Sequence, residues 1–182
     1  SLGDNYTGDL SLSMWFKADL TSGNDGLFTI GDFSSSIGEF TISVYLNEIY
    51  YRLNQGGWTR KVAFTDTSSW HHLLIIYKSG SEANSKMFLD GSEVGATSGS
   101  FPATSAMDFA GLKTIIGAYY TNANGWDGNI DEVAVWSNDQ TANAATIYNS
   151  GTPADLTSLS PLGYWRMGEG ITNWNGTNWQ LP

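Results

Sequence analysis

The chain has 182 residues, enough for one domain with a sizeable core, and no cysteine, which excludes disulfides and thiolate chemistry. Eighteen acidic against eight basic residues give a formal charge of −10. Recognition of a nucleic-acid backbone needs clustered Lys and Arg, and an anionic membrane surface would repel such a chain, so neither nucleic acid nor membrane is expected as a partner.

The pattern is that of strands. From Leu10 to Phe16, Leu10, Leu12, Met14 and Phe16 share one face while Ser11, Ser13 and Trp15 share the other, a period of two. Gly23 to Gly26 reads as a turn before a short strand, LFTIG. Phe40, Ile42, Val44 and Leu46 then line one side of EFTISVYLN, with a turn at Asn47–Glu48 and IYYRLN pairing back as a hairpin. RKVAF is a weaker strand. SWHHLLIIYK is apolar on both faces, Leu73 and Ile75 one way and Leu74 and Ile76 the other, which predicts a central strand covered on both sides. Asp90–Gly91 supplies the positive φ of a tight turn in SKMFLDGSEVG. A loop from about Ala96 to Leu112 precedes two further strands, KTIIGAYY and GWDGNIDEVAVW. NDQTANAATIYNSG predicts the one helix, with Asn138 or Asp139 at its start and Gly151 at its end. LGYWRM is the last strand before a polar tail.

Short strands separated by turns, with one helix, predict an all-β fold: a two-sheet antiparallel jelly-roll β-sandwich. The expected division is a sandwich over 1–160 and a C-terminal strand with polar tail over 161–182, the whole being a fragment of a longer chain. Trp15, Trp70, Trp126, Trp136 and Trp165 read as core.

LGDNYTGDLSLSMWFKAD, SSWHHLLIIYKSG, KMFLDGSEVG, TIIGAYY, GNIDEVAVW and ATIYNSG, in this order, resemble the concanavalin A-like superfamily, in particular its laminin-G-like and pentraxin-like members in bacterial secreted and phage structural proteins. GYWRMGEG is similar to stretches between such domains in marine phage structural proteins. The resemblance implies two antiparallel sheets packed face to face, a calcium site near the sandwich edge in many members, and sugar binding in some. It also implies an earlier strand, bearing a Phe-Asp-Gly-like motif, that this sequence lacks. An open sheet edge, completed by a neighbouring chain or another segment, is therefore expected.

Asp131 shares a face with Val133 and Val135 by parity, unless a bulge re-aims it. A carboxylate on a core face needs either a cation such as Ca2+ or backbone N–H groups. Asp4 and Asp32, in Gly-Asp turns, are the other candidate metal ligands, with Asp25, Asp127 and Glu132 behind them. Tyr51, Trp58, Tyr119 and Tyr120 lie near turns or on faces that can be exposed, where rings stack on sugars or fill a partner interface, and Arg52, Asn54 and Gln55 can bind hydroxyls. His71 and His72, adjacent in a strand, point to opposite faces and cannot share a metal. Asp131 and Glu132 are expected on opposite faces for the same reason. With no Glu-x-Asp-x-x-Glu run and no nucleophile or phosphate motif, an enzyme is not expected. The expected function is a non-catalytic module, extracellular, secreted or on a virion surface, that binds a glycan or surface polysaccharide. Its alternative is a structural protein–protein module contacting other chains of an oligomer or virion, and a polysaccharide-degrading enzyme comes third.

Overall fold

The structure is a computed structural model that describes residues 6–31, 39–53, 58–97, 109, 111–120, 123–167, 173–174 and 179–180. In chain order the strands are β1 (Leu10–Ala18), β2 (Asn24–Ile30), β3 (Phe40–Tyr45), β4 (Glu48–Leu53), β5 (Trp58–Ala63), β6 (His71–Tyr77), β7 (Lys86–Leu89), β8 (Ser92–Val94), β9 (Ala96–Thr97), β10 (Thr114–Ile116), β11 (Ala118–Tyr120), β12 (Ala123–Gly125) and β13 (Gly128–Trp136). Helix α1 (Ala144–Tyr148) and strand β14 (Gly163–Trp165) follow, then a short pair, β15 (Asn173–Trp174) with β16 (Trp179–Gln180). Sheet one has the order β14-β13-β1-β6-β7-β8 and sheet two the order β10-β2-β3-β4-β5-β9, with antiparallel pairing throughout. This is the expected two-sheet sandwich.

The alternation in the sequence becomes the inside and outside of each sheet. Leu10, Leu12, Met14 and Phe16 of β1, Phe40, Ile42 and Val44 of β3, and Ile49, Tyr51 and Leu53 of β4 fill the space between the sheets. β6 is covered on both sides, as its two apolar faces require. Leu73 and Ile75 join the inner core, while Leu74 and Ile76 join a second cluster on the outer side of sheet one with Ala134, Trp136, Ile147 of α1 and Leu156. Ser11 ties the cover to the sheet: its hydroxyl donates to Asn138 O at 2.6 Å and accepts from Gln140 N–H at 3.1 Å. Asp139 Oδ1 takes the Thr141 N–H at 2.7 Å, but the N-cap positions are Gln140 of the 3-10 turn and Asn143 of the α-helix, not the expected Asn138 or Asp139, because the chain enters the helix through that turn. The α-helix itself is only five residues, flanked by 3-10 turns at Thr141–Asn143 and Asn149–Gly151, and shorter than the pattern implied.

Close approach explains one glycine. A Cβ at Gly26 would stand 2.0 Å from Tyr119 N, because the β11–β12 hairpin lies on the outer face of β2. KTIIGAYY is thus two strands, broken where Gly117 turns the chain with φ +80° from β10 in the sheet to β11 above it. The tight hairpin turn after β3 is Leu46–Asn47, both at positive φ, so Leu46 points to solvent and not to the face of Phe40. β14, set apart with the tail on sequence, pairs with β13 as an edge strand of sheet one and belongs to the sandwich.

Candidate functional site

Three places in the described structure gather polar or aromatic chemistry. The first is the outer face of sheet two. Thr41 and Arg52 are cross-strand partners on that face. The Arg52 guanidinium donates to Glu39 Oε1 at 3.1 Å, with Glu39 itself 1% exposed, and Thr41 Oγ1 donates to the same oxygen at 3.0 Å. Above them, Arg52 Cζ lies 5.0 Å from the centre of the Tyr119 ring, and Thr29 Oγ1 donates to Tyr119 O at 2.5 Å. The result is a planar cation held from below by a buried carboxylate and laid on an aromatic ring.

Of the seven residues expected to meet a ligand, the fold brings Arg52 and Tyr119 together, although Tyr119 is covered and not exposed as the sequence suggested. The backbone of Trp58 is opposite Arg52 on β5, and Tyr120 follows Tyr119 in β11. Tyr51 is a correction. It alternates with Arg52 and therefore faces the inner core, fully buried, with Arg60, Ser85 and Glu82 around its hydroxyl, and burial pushes that hydroxyl's pKa up. Asn54 and Gln55 lie outside the described residues. Glu39, which the sequence reading missed, could have been found by parity, since it shares a face with Thr41 and Ser43.

The second place is at the end of sheet one. A bulge between β1 and β13 pairs Ser13 with Ala134 but Trp15 with Asp131, leaving Glu132 and Val133 together opposite Met14. Glu132 takes the left-handed φ of +49°. Asp131 is thereby turned away from the face of Val133 and Val135 to the outer face beside Trp15, and the parity expectation is replaced by its bulge exception. Asp131 Oδ1 accepts the Glu132 N–H at 2.9 Å. Glu132 does not oppose it across the sheet as expected. It reaches the outer side too, buried, where it accepts from the Tyr164 hydroxyl and from Arg166 Nε at 3.2 Å. Trp15, Trp70, Asp131, Gly151 and Pro153 enclose a cavity of about 370 Å3. Trp70, expected in the core, is 46% exposed there, and Trp165, also expected inside, is 38% exposed on β14.

His71 and His72 do face opposite ways. His71 lies between Asp90 (2.7 Å) and Asp66 (3.2 Å). His72 packs on Trp15 with a ring nitrogen 2.9 Å from Ser13 Oγ, and burial pushes its pKa down to about 4, so it is neutral at pH 7.

The third place is a corner beside β2. Burial and the negative charge of Asp127 both raise the pKa of Asp25. Asn24 Oδ1 and Asp25 Oδ2 are buried and without a hydrogen-bond partner. These are hard oxygens of the kind calcium takes. Asp4 and Asp32 lie outside the described residues, and among the described residues no three His, Asp or Glu side chains converge on a point that would hold a metal ion.

A family model described as the concanavalin A-like lectin/glucanases superfamily matches residues 1–147. The chain belongs to that superfamily. No curated protein sequence matches it. Among solved structures, a Bacteroides ovatus ATCC 8483 protein proposed to bind carbohydrate is similar at 15% identity and TM-score 0.67, over 93% of this chain and 48% of that one, so the chain spans about half its length. A heptameric SAP-like pentraxin from Limulus polyphemus matches at 14% identity and TM-score 0.60, over 78% and 70% of the two chains. Domain 4 of an extracellular arabinanase from Geobacillus stearothermophilus, solved with arabinotriose, matches at 18% identity and TM-score 0.52, over 80% and 69%. These likenesses agree on the sandwich.

Proposed function

We propose that this superfamily member is a non-catalytic glycan-binding module of an extracellular protein, and that it presents the outer face of sheet two to a surface polysaccharide. The observation that supports this most is the Arg52 guanidinium, lying on the Tyr119 ring and held in place by Glu39. A fixed planar fork of donors can hydrogen-bond the hydroxyl groups of a sugar, with the covered Tyr119 ring serving to hold the fork in place. That two of the similar structures are described with carbohydrate is consistent with it. Calcium, implied by the family resemblance, is proposed at Asn24, Asp25 and Asp127 and not at Asp131. There two carboxylates and an amide oxygen would neutralise and hold the ion, with backbone carbonyls or water completing its shell.

The test is a glycan array followed by calorimetry on the intact chain and on Arg52→Lys, which keeps the charge above Glu39 but loses the planar fork. Binding at least about tenfold weaker with an unchanged fold supports the reading. Binding to no glycan, or equal binding by the variant, overturns it. A second reading, a structural module in a protein assembly, is favoured by Leu162, Trp165 and Met167, all well exposed along edge strand β14. Concentration-dependent self-association in sedimentation, abolished by Trp165→Ser, would favour that reading.

A further inference from the structure

Asn124 and Gly125 are neighbours on β12, the returning strand of the hairpin laid over Gly26. We propose that this pair is a site of spontaneous covalent modification, at which the Gly125 backbone nitrogen displaces the Asn124 side-chain amide and the chain acquires an aspartate or isoaspartate.

The step needs water and no other reactant. The Gly125 nitrogen gives its proton to hydroxide and forms a bond to Asn124 Cγ. The Cγ–Nδ2 bond breaks, the leaving nitrogen takes a proton from water, and ammonia departs, leaving a five-membered succinimide. Water then adds to one of the two ring carbonyls. Opening at the side-chain carbonyl gives aspartate, and opening at the main-chain carbonyl gives isoaspartate, whose main chain runs through Cβ. Nothing is oxidised or reduced.

The hairpin leaves both reacting groups available. Asn124 is exposed, and among the described residues its side chain makes no hydrogen bond that would hold it. Trp126 N donates to Gly117 O at 2.8 Å, so the adjoining Ala118–Gly125 pair is a non-hydrogen-bonded one and the Gly125 N–H points away from β11. Ring closure requires main-chain rotation, which Gly125 permits and a hairpin of two paired positions resists weakly. Asn124 also stands at φ +55°, a region side chains leave readily. Asn84–Ser85 is built the opposite way. Asn84 Nδ2 donates to Ser81 Oγ at 2.8 Å, and the N–H of buried Ser85 donates to Ser81 O and Glu82 O, both at 3.1 Å.

The fold has no slack for the carbon that isoaspartate adds to the main chain. The hairpin sits so close to β2 that a Cβ at Gly26 would stand 2.0 Å from Tyr119 N, and the Trp126–Gly117 bond begins at the next residue. Modification therefore loosens the strand pair that carries Tyr119, the ring on which Arg52 rests.

The experiment holds the folded chain at mildly alkaline pH in 18O-labelled water and maps tryptic peptides by mass spectrometry. The other Asn–Gly pair, Asn175–Gly176, falls on a separate peptide because Arg166 lies between them. Asn124 should convert to label-bearing aspartate and isoaspartate at least about tenfold faster than Asn84. Gly125→Ala, whose Cβ meets only Gly117 O at 3.9 Å, should fold and convert at least about tenfold more slowly. In the modified chain the Trp126 amide should exchange with solvent at least about tenfold faster. The proposal is overturned if Asn124 stays intact in the folded chain while the urea-unfolded chain converts, if Asn84 converts as fast, if Gly125→Ala is not slowed, or if exchange at Trp126 is unchanged by modification.

Discussion

Trp15 and Asp131 are direct cross-strand partners, and they are so only because β13 carries one residue more than β1 across this stretch. The extra residue turns a carboxylate that would otherwise sit among Val133, Val135 and the rest of the inner core to the outer side of the sheet, next to an indole. It also frees Glu132 to reach Tyr164 and Arg166, which fastens the edge strand β14 to the sandwich.

That fastening should be measurable. Glu132 is a buried carboxylate with two donors, and Tyr164→Phe removes the hydroxyl while leaving the charge in place. Loss of a partner from a buried charged acceptor costs about 1–3 kcal/mol, so the variant should unfold at lower urea concentration with an unchanged m-value. An unchanged midpoint would mean that Arg166 and solvent satisfy Glu132 alone.

His72 makes stability depend on pH with a definite sign. Burial lowers its folded pKa to about 4 from an ordinary 6.5, so the unfolded chain takes up the proton first as pH falls. Its contribution is present in full above pH 6.5 and is lost progressively between pH 6.5 and 4. The loss is on the order of 3 kcal/mol from a shift of this size. Urea midpoints measured across this range should fall, and His72→Gln should flatten the slope. A slope equal in the variant would assign the titration elsewhere.

Asp25 works in the other direction. Burial and Asp127 raise its folded pKa, so its charge disfavours the folded state increasingly as pH rises through that value. Asp25→Asn should therefore melt higher than the parent at pH 7 without divalent ions. Calcium should raise the melting temperature of the parent by mass action and leave the variant unmoved. A calcium response that survives in Asp25→Asn would remove this corner as the site.

The sandwich was legible in the sequence because strand alternation is local. Each side chain points opposite to its neighbours whatever the rest of the chain does, so Leu10, Leu12, Met14 and Phe16 declare an inner face, and Leu73 to Ile76 declare a strand covered twice. The Asp90–Gly91 turn was legible for the same reason, since its positive φ angles are a property of two adjacent residues. Tyr51 and Arg52 show where that reading stopped: both stood on one short strand, and alternation guaranteed that one would be inside, but only the pairing of β4 with β3 decided which. Glu39, thirteen residues from Arg52, became its partner across that same ladder. The bulge that re-aims Asp131, the exposure of Trp70 and the hairpin laid over Gly26 depend on segments far apart in the chain meeting at particular registers. Local stereochemistry is written residue by residue, whereas register is settled only when two strands and everything packed upon them are satisfied together.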